Sequence, residues 1–188
     1  MNILYIHGLS SSGNASTSNN LRQLLPDHNV FSPDLPIDPQ EALTLLQTIV
    51  KEQNIDIAVG TSMGGMFAQK LRGTRKIIVN PAFHVSRTLR KNIGINPFFN
   101  KRADGATEYE ITEEICQAYE ELESAQFDNL TDEERNLTYA LFGTDDDVVN
   151  CEPEYLEHYT HCAKFTGGHR LSLDNLRDTI VPLILKAL

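Results

Sequence analysis

The segment Val59-Gly60-Thr61-Ser62-Met63-Gly64-Gly65 constrains the fold more than any other part of this chain. It is a G-x-S-x-G between an apolar run, Asp56–Val59, that reads as a strand and a helical period from Met63 to Leu71. A reactive serine in this pattern sits on a sharp strand-to-helix turn that lifts its hydroxyl clear of the backbone, and the flanking glycines relieve crowding there. The amino terminus of the following helix adds partial positive charge where an oxyanion would form. A plain βα turn with a helix-capping serine would use the same letters, so the partners supplied elsewhere in the chain matter.

Outside this turn, short β-branched runs alternate with longer helical periods, the pattern of βα units around a parallel sheet. Strands are expected at Ile3–Ile6, Asn29–Ser32, Asp56–Val59, Lys76–Val79, Thr138–Phe142 and Cys162–Thr166. Asp38-Pro39-Gln40-Glu41 combines a capping side chain with a proline at the first helical position, which predicts a helix from Pro39 to about Gln53. Thr107-Glu108-Tyr109-Glu110 and Thr131-Asp132-Glu133-Glu134 have capping-box spacing. The first box predicts a helix with Ile111, Ile115, Ala118, Tyr119 and Leu122 on one apolar stripe. At 188 residues, one domain over 1–188 is expected. The strand–helix rhythm breaks from about 87 to 136, and that stretch reads as an inserted small helical cap.

A nucleophilic serine in such a turn needs an acid and then a histidine, in that chain order. Gly143-Thr144-Asp145-Asp146-Asp147-Val148-Val149 follows the fifth strand and Thr166-Gly167-Gly168-His169 follows the sixth. Three adjacent aspartates could instead form a solvated surface or a hard-cation loop, but the further regularly spaced oxygen ligands of a calcium loop are not evident. Asp146 is preferred as the acid, with Asp147 next and Asp145 third. His169 lies on a loop between a diglycine and Arg170-Leu171-Ser172, a position that suits function better than core filling.

At the amino terminus, Ile6-His7-Gly8-Leu9-Ser10-Ser11-Ser12-Gly13 ends the first strand beside the expected switch point of the sheet. The backbone amides of Leu9 and Met63 can there form a two-donor oxyanion hole. Gly8 to Gly13 also has phosphate-loop spacing, but Asn14-Ala15 stand where such a loop requires Lys and Ser/Thr. His7 is read as structural, and His28, His84, His158 and His161 as surface or structural residues. Cys116, Cys151 and Cys162 form no CxxC pair and suggest neither a disulfide framework nor zinc.

The 16 Lys+Arg and 26 Asp+Glu leave a net charge of −10, which argues against a protein built to neutralise nucleic-acid phosphates. Charge is unevenly spread. Lys70 to Arg102 holds nine basic residues and no acid, whereas Ala103 to Asn136 holds twelve acids and a single arginine. Internal pairing of the two stretches is the expected use of that charge. With no basic leader and no apolar run near 20 residues, a cytoplasmic protein without membrane contact is expected. The sequence leaves the oligomeric state open.

Taken together, Ile6-His7-Gly8-Leu9, Gly60-Thr61-Ser62-Met63-Gly64-Gly65, the Gly143–Val149 segment and Gly167-Gly168-His169 resemble a compact α/β-hydrolase. Within that superfamily the chain is similar to the bacterial YqiA/YcfP-like esterases, with Val79-Asn80-Pro81-Ala82 and Asn96-Pro97 as supporting features. The resemblance implies a parallel sheet ordered 2-1-3-4-5-6, Ser62 as nucleophile, His169 as base, Asp146 as orienting acid, and Leu9 and Met63 as oxyanion donors. It implies a serine esterase acting on short or medium acyl esters through an acyl-enzyme, with no metal or organic cofactor. Two other readings stand beside it. An acyl-CoA or other acyl-thioester hydrolase would use the basic stretch to meet a polyanionic head group, and a hydrolase-like binding module would keep the pocket without turnover.

Overall fold

The computed structural model describes residues 1–186, so the last two residues of the expected domain, 187–188, lie outside the described residues. Among the described residues, eight strands form in chain order: β1 (Asn2–Ile6), β2 (Asn29–Phe31), β3 (Ile57–Thr61), β4 (Arg75–Val79), β5 (Gly94–Pro97), β6 (Glu108–Ile111), β7 (Thr138–Gly143) and β8 (Cys162–Phe165). Six of them make one sheet in the order β2-β1-β3-β4-β7-β8, and every neighbouring pair is parallel. With the β5–β6 hairpin set aside, this is the expected order 2-1-3-4-5-6.

Strands of such a sheet are covered on both faces, so alternate side chains enter two separate cores. Leu4, Ile6, Ala58, Ile78 and Ala140 face α2 (Pro39–Glu52), α3 (Met63–Lys70) and the insertion. Ile3, Tyr5, Ile57, Val59, Ile77 and Leu141 face the other way, against α1 (Ser16–Leu24) and the carboxy-terminal helical segment carrying Leu176, Ile180 and Ile184. The cap of α2 forms as the sequence dictates: the Asp38 carboxylate accepts the Gln40 and Glu41 amides, both at 2.9 Å. From β1 the chain moves outward to β2 and then back past β1 to β3. The carboxyl ends of β1 and β3 therefore flank the switch point, where open α/β sheets leave a crevice.

The segment between β4 and β7 corrects the expectation of a purely helical insertion. It contains α4 (Val85–Leu89), a short 3₁₀ turn, the antiparallel β5–β6 hairpin, α5 (Glu113–Ser124) and α6 (Asp132–Asn136). Thr107–Glu110, expected to open a helix, instead enters β6. There Glu108 and Glu110 point outward while Tyr109 and Ile111 are buried, a period of two that pairs with Gly94–Pro97. The helix starts five residues later, where the Thr112 hydroxyl accepts the Ile115 amide at 3.3 Å. Tertiary pairing has overridden a local capping signal. The second box behaves as expected, with Thr131 capping α6 through the Glu134 amide at 3.2 Å.

Candidate active site

Ser62 lies between β3 and α3 with φ 55° and ψ −123°. A non-glycine residue in that region carries about 1–3 kcal/mol of strain, tolerated only where the surroundings hold it. Here its amide donates to the Val79 carbonyl at 3.0 Å, and its own carbonyl accepts the Gly65 and Ala82 amides at 2.9 and 3.1 Å. The start of α3 can press against β1 only because residue 64 is glycine. A Cβ there would stand 2.0 Å from the Ile6 carbonyl oxygen.

Two further loops meet this serine at the same edge of the sheet. His169, on the loop after β8, places Nε2 3.0 Å from Ser62 Oγ and Nδ1 2.8 Å from Asp146 Oδ2. A carboxylate can only accept, so Nδ1 carries the proton and the Nε2 lone pair faces the hydroxyl. The other Asp146 oxygen accepts the Val148 and Val149 amides at 2.8 and 3.0 Å, which fixes the carboxylate. The two side chains are largely buried, at 16% and 6% exposure for His169 and Asp146. Asp145 and Asp147 are exposed. Among the described residues, Asp145 accepts only the neighbouring Thr144 hydroxyl, at 3.2 Å, while its amide ties the loop to the Gly167 carbonyl at 2.9 Å.

Leu9 and Met63 line one crevice next to the serine. A Cβ on Gly8 would lie 3.3 Å from Ser62 Cβ, so the loop carrying Leu9 runs directly against it. Among the described residues, neither the Leu9 nor the Met63 amide has an acceptor within the protein. The loop is held from both sides. His7 is buried, with Nδ1 donating to the Gly8 carbonyl at 2.8 Å and Nε2 accepting the Leu35 amide at 3.2 Å. Accepting at Nε2 requires a neutral ring, and burial pushes this imidazole below its usual range despite the pull of the Gly8 carbonyl. From the insertion, the Phe99 amide donates to the Ser10 carbonyl at 2.8 Å, and the Tyr109 and Ser10 hydroxyls meet at 2.5 Å. A narrow crevice opens beside Leu9 and Met63, walled by Leu35, Ile37, Phe98 and Tyr109.

Among the described residues, five of the nine basic side chains of the Lys70–Arg102 stretch are engaged within the molecule. Arg72 and Lys76 reach Glu134, Arg90 reaches Glu113 and Glu120, Arg102 reaches Asp104, and Lys70 donates to the Leu122 and Ala125 carbonyls. Among the described residues, no group of three His, Cys, Asp or Glu is arranged to hold a metal ion, and no helix is long and apolar enough to cross a membrane.

Sequence reasoning missed the hydrogen bonds of the Asn80 side chain to Gly143 and Gly168 and the Ser10–Tyr109 contact. An asparagine directly after a buried strand is a signal for left-handed backbone, and Asn80 does adopt φ 45°. The Ser10–Tyr109 pair spans 99 positions and leaves no local trace.

The sheet order, the serine turn and the three converging loops define an α/β-hydrolase fold. Solved structures with this fold match nearly the whole chain. Est1E from Butyrivibrio proteoclasticus aligns with TM-score 0.63 at 14% identity, over 99% of this chain and 87% of that one. The esterase domain of a Rhodothermus marinus protein gives 0.61 at 15% identity, over 99% and 84%. The thioesterase domain from the curacin biosynthetic pathway gives 0.53 at 16% identity, over 98% and 90%. More particularly, the chain belongs to the uncharacterised protein family UPF0227, whose profile matches residues 2–183.

Proposed function

We propose that this protein is a serine hydrolase that cleaves carboxylic esters of short or medium acyl chains. The observation that carries this reading is the hydrogen-bonded line from Ser62 Oγ through His169 to Asp146, assembled from three separate loops at 3.0 and 2.8 Å. In the proposed reaction, Ser62 Oγ attacks the ester carbonyl carbon as His169 Nε2 takes its proton. Negative charge gathers on the carbonyl oxygen, facing the Leu9 and Met63 amides. As the tetrahedral species collapses, His169 returns the proton to the departing alcohol oxygen, leaving an acyl group on Ser62. Water, deprotonated by the same nitrogen, then attacks the acyl carbon. Ser62 leaves with the proton and the carboxylic acid is released. Asp146 keeps the ring in its working tautomer and stabilises the imidazolium. No cofactor enters this scheme.

The apolar side chains beside Leu9 and Met63, namely Leu35, Ile37 and Phe98, support an apolar acyl group over a charged one. A solved structure described as an esterase domain has the same fold, and another described as a thioesterase domain keeps the acyl-thioester reading in play. Engagement of five of the nine basic side chains within the molecule weakens the case for a polyanionic head group.

Fluorophosphonate labelling followed by peptide mass mapping tests the reading. A single adduct on Ser62 is expected, together with hydrolysis of p-nitrophenyl acetate or butyrate that falls at least about 10³-fold in Ser62→Ala. Folded protein that takes no adduct, or turnover that survives Ser62→Ala, would overturn it. Faster turnover of an acyl-thioester than of the ester with the same acyl group would move the assignment to the thioesterase reading.

A further inference from the structure

The turn after β4 touches all three loops that carry the proposed reactive groups, yet it supplies none of them. The Val79 carbonyl accepts the Ser62 amide at 3.0 Å, and the Ala82 amide donates to the Ser62 carbonyl at 3.1 Å, so the turn grips the serine from both sides. Between them, Asn80 spends its side chain on the other two loops. Its Oδ1 accepts the Gly143 amide at 2.7 Å, at the point where β7 gives way to the Asp146 loop. Its Nδ2 donates to the Gly168 carbonyl at 3.0 Å and, more weakly, to the His169 carbonyl at 3.4 Å. The residue is buried, at 2% exposure, and held at φ 45°.

A fully satisfied buried amide in a strained backbone position is costly to assemble and rigid once assembled. Asparagine suits the position because its short side chain presents one acceptor and one donor, matching an N–H on one loop and carbonyls on the other. We infer that Asn80 is a positioning residue that holds the His169 and Asp146 loops in register with Ser62. This inference rests on the hydrolase reading above. Its physical content is that freeing the two loops lets the imidazole drift from the hydroxyl, and a misplacement of about 1 Å is worth on the order of 10²-fold in rate.

Two substitutions separate the side chain's bonds from the backbone strain. Asn80→Gly keeps easy access to positive φ and removes all three side-chain bonds. Asn80→Asp keeps size and the acceptor for Gly143 but turns an acceptor toward the two carbonyls. Each is expected to lower kcat on p-nitrophenyl acetate by about 10- to 100-fold with KM within about twofold, in protein that still unfolds cooperatively. Each should also weaken or broaden the downfield proton resonance of His169 Nδ1–H, which is read without substrate. A kcat within twofold of wild type in both variants, or a kcat that falls only in step with the fraction of folded protein, would overturn the proposal. If the resonance is present in wild type and lost in both variants while wild type hydrolyses no ester, the hydrolase reading fails and the positioning by Asn80 stands.

Discussion

Two carboxylate pairs lie at opposite edges of the sheet, built from similar parts. At the amino ends of the strands, Lys76 Nζ meets Glu134 Oε2 at 2.6 Å, with side chains 0% and 10% exposed. At the carboxyl ends, His169 meets Asp146 at 2.8 Å, with side chains 16% and 6% exposed. In both, the spare carboxylate oxygen is pinned by backbone amides: Gly73 on Glu134, and Val148 and Val149 on Asp146. Burial pushes the Lys76 ammonium down while Glu134 pulls it back up. Burial likewise opposes the Glu134 charge, but the bonds from Lys76 and Gly73 outweigh it and hold that carboxyl below the usual range. Burial and pairing are therefore common to the two edges and cannot mark function. The difference is that imidazole has a second nitrogen, and His169 turns it toward a strained serine, whereas Lys76 ends at its partner. A hollow of about 750 Å³ opens at the amino edge, lined by Arg75, Lys76, Tyr139 and Leu183 among others, and among the described residues no serine, cysteine or histidine lines it. Size, too, is a poor guide to chemistry.

The largest effect that would sharpen this contrast is at the carboxyl edge. Asp146→Asn should lower kcat/KM on an activated ester by about 10³- to 10⁴-fold, because the amide no longer selects the working tautomer. Asp145→Asn should stay within about threefold. Steady-state kinetics on the two variants decide the matter, and equal losses would remove Asp146 from its assigned place. At the amino edge the readout should be stability instead. Among the described residues, Lys76→Met leaves the buried Glu134 carboxylate with only the more distant Arg72, at 4.0 Å, as a cationic partner, and should cost about 3 kcal/mol in urea unfolding. Adding Glu134→Leu should recover most of that loss, with kcat per folded molecule unchanged throughout. A change in kcat would mean that the two edges are coupled through the sheet.

The smallest effect concerns His7, which links the site to the loop after β2. The folded state holds this ring neutral, so the unfolded chain, titrating near 6.5, binds the proton more readily. Stability from this group is complete above about pH 6.5 and is lost as pH falls below it. Between pH 7.5 and 5, wild type should lose about 2–4 °C more in Tm than His7→Gln. Parallel curves for the two proteins would show that His7 does not carry the acid sensitivity.

Much of this architecture was legible in local pattern. Ile3–Ile6 and Lys76–Val79 read as buried strands because a doubly covered strand is apolar on both faces, and Asp38-Pro39 announced α2 through contacts within one turn. The misreading at Thr107–Glu110 shows where such signals end. The same letters fit a capping box and a period-two strand, and the choice fell to Gly94–Pro97, about fourteen positions away. Asp145, Asp146 and Asp147 likewise differ only in where the loop points them.

By itself, then, the sequence determined what short-range physics governs: the βα rhythm, the strained serine turn with its glycines, and the order of serine, acid and histidine. Only the tertiary structure decided which aspartate faces His169, that Asn80 grips the two other loops, and that a hairpin holds the loop carrying Leu9. Those choices depend on groups separated by tens of residues. Their hydrogen bonds exist only after the sheet has brought its strand ends together.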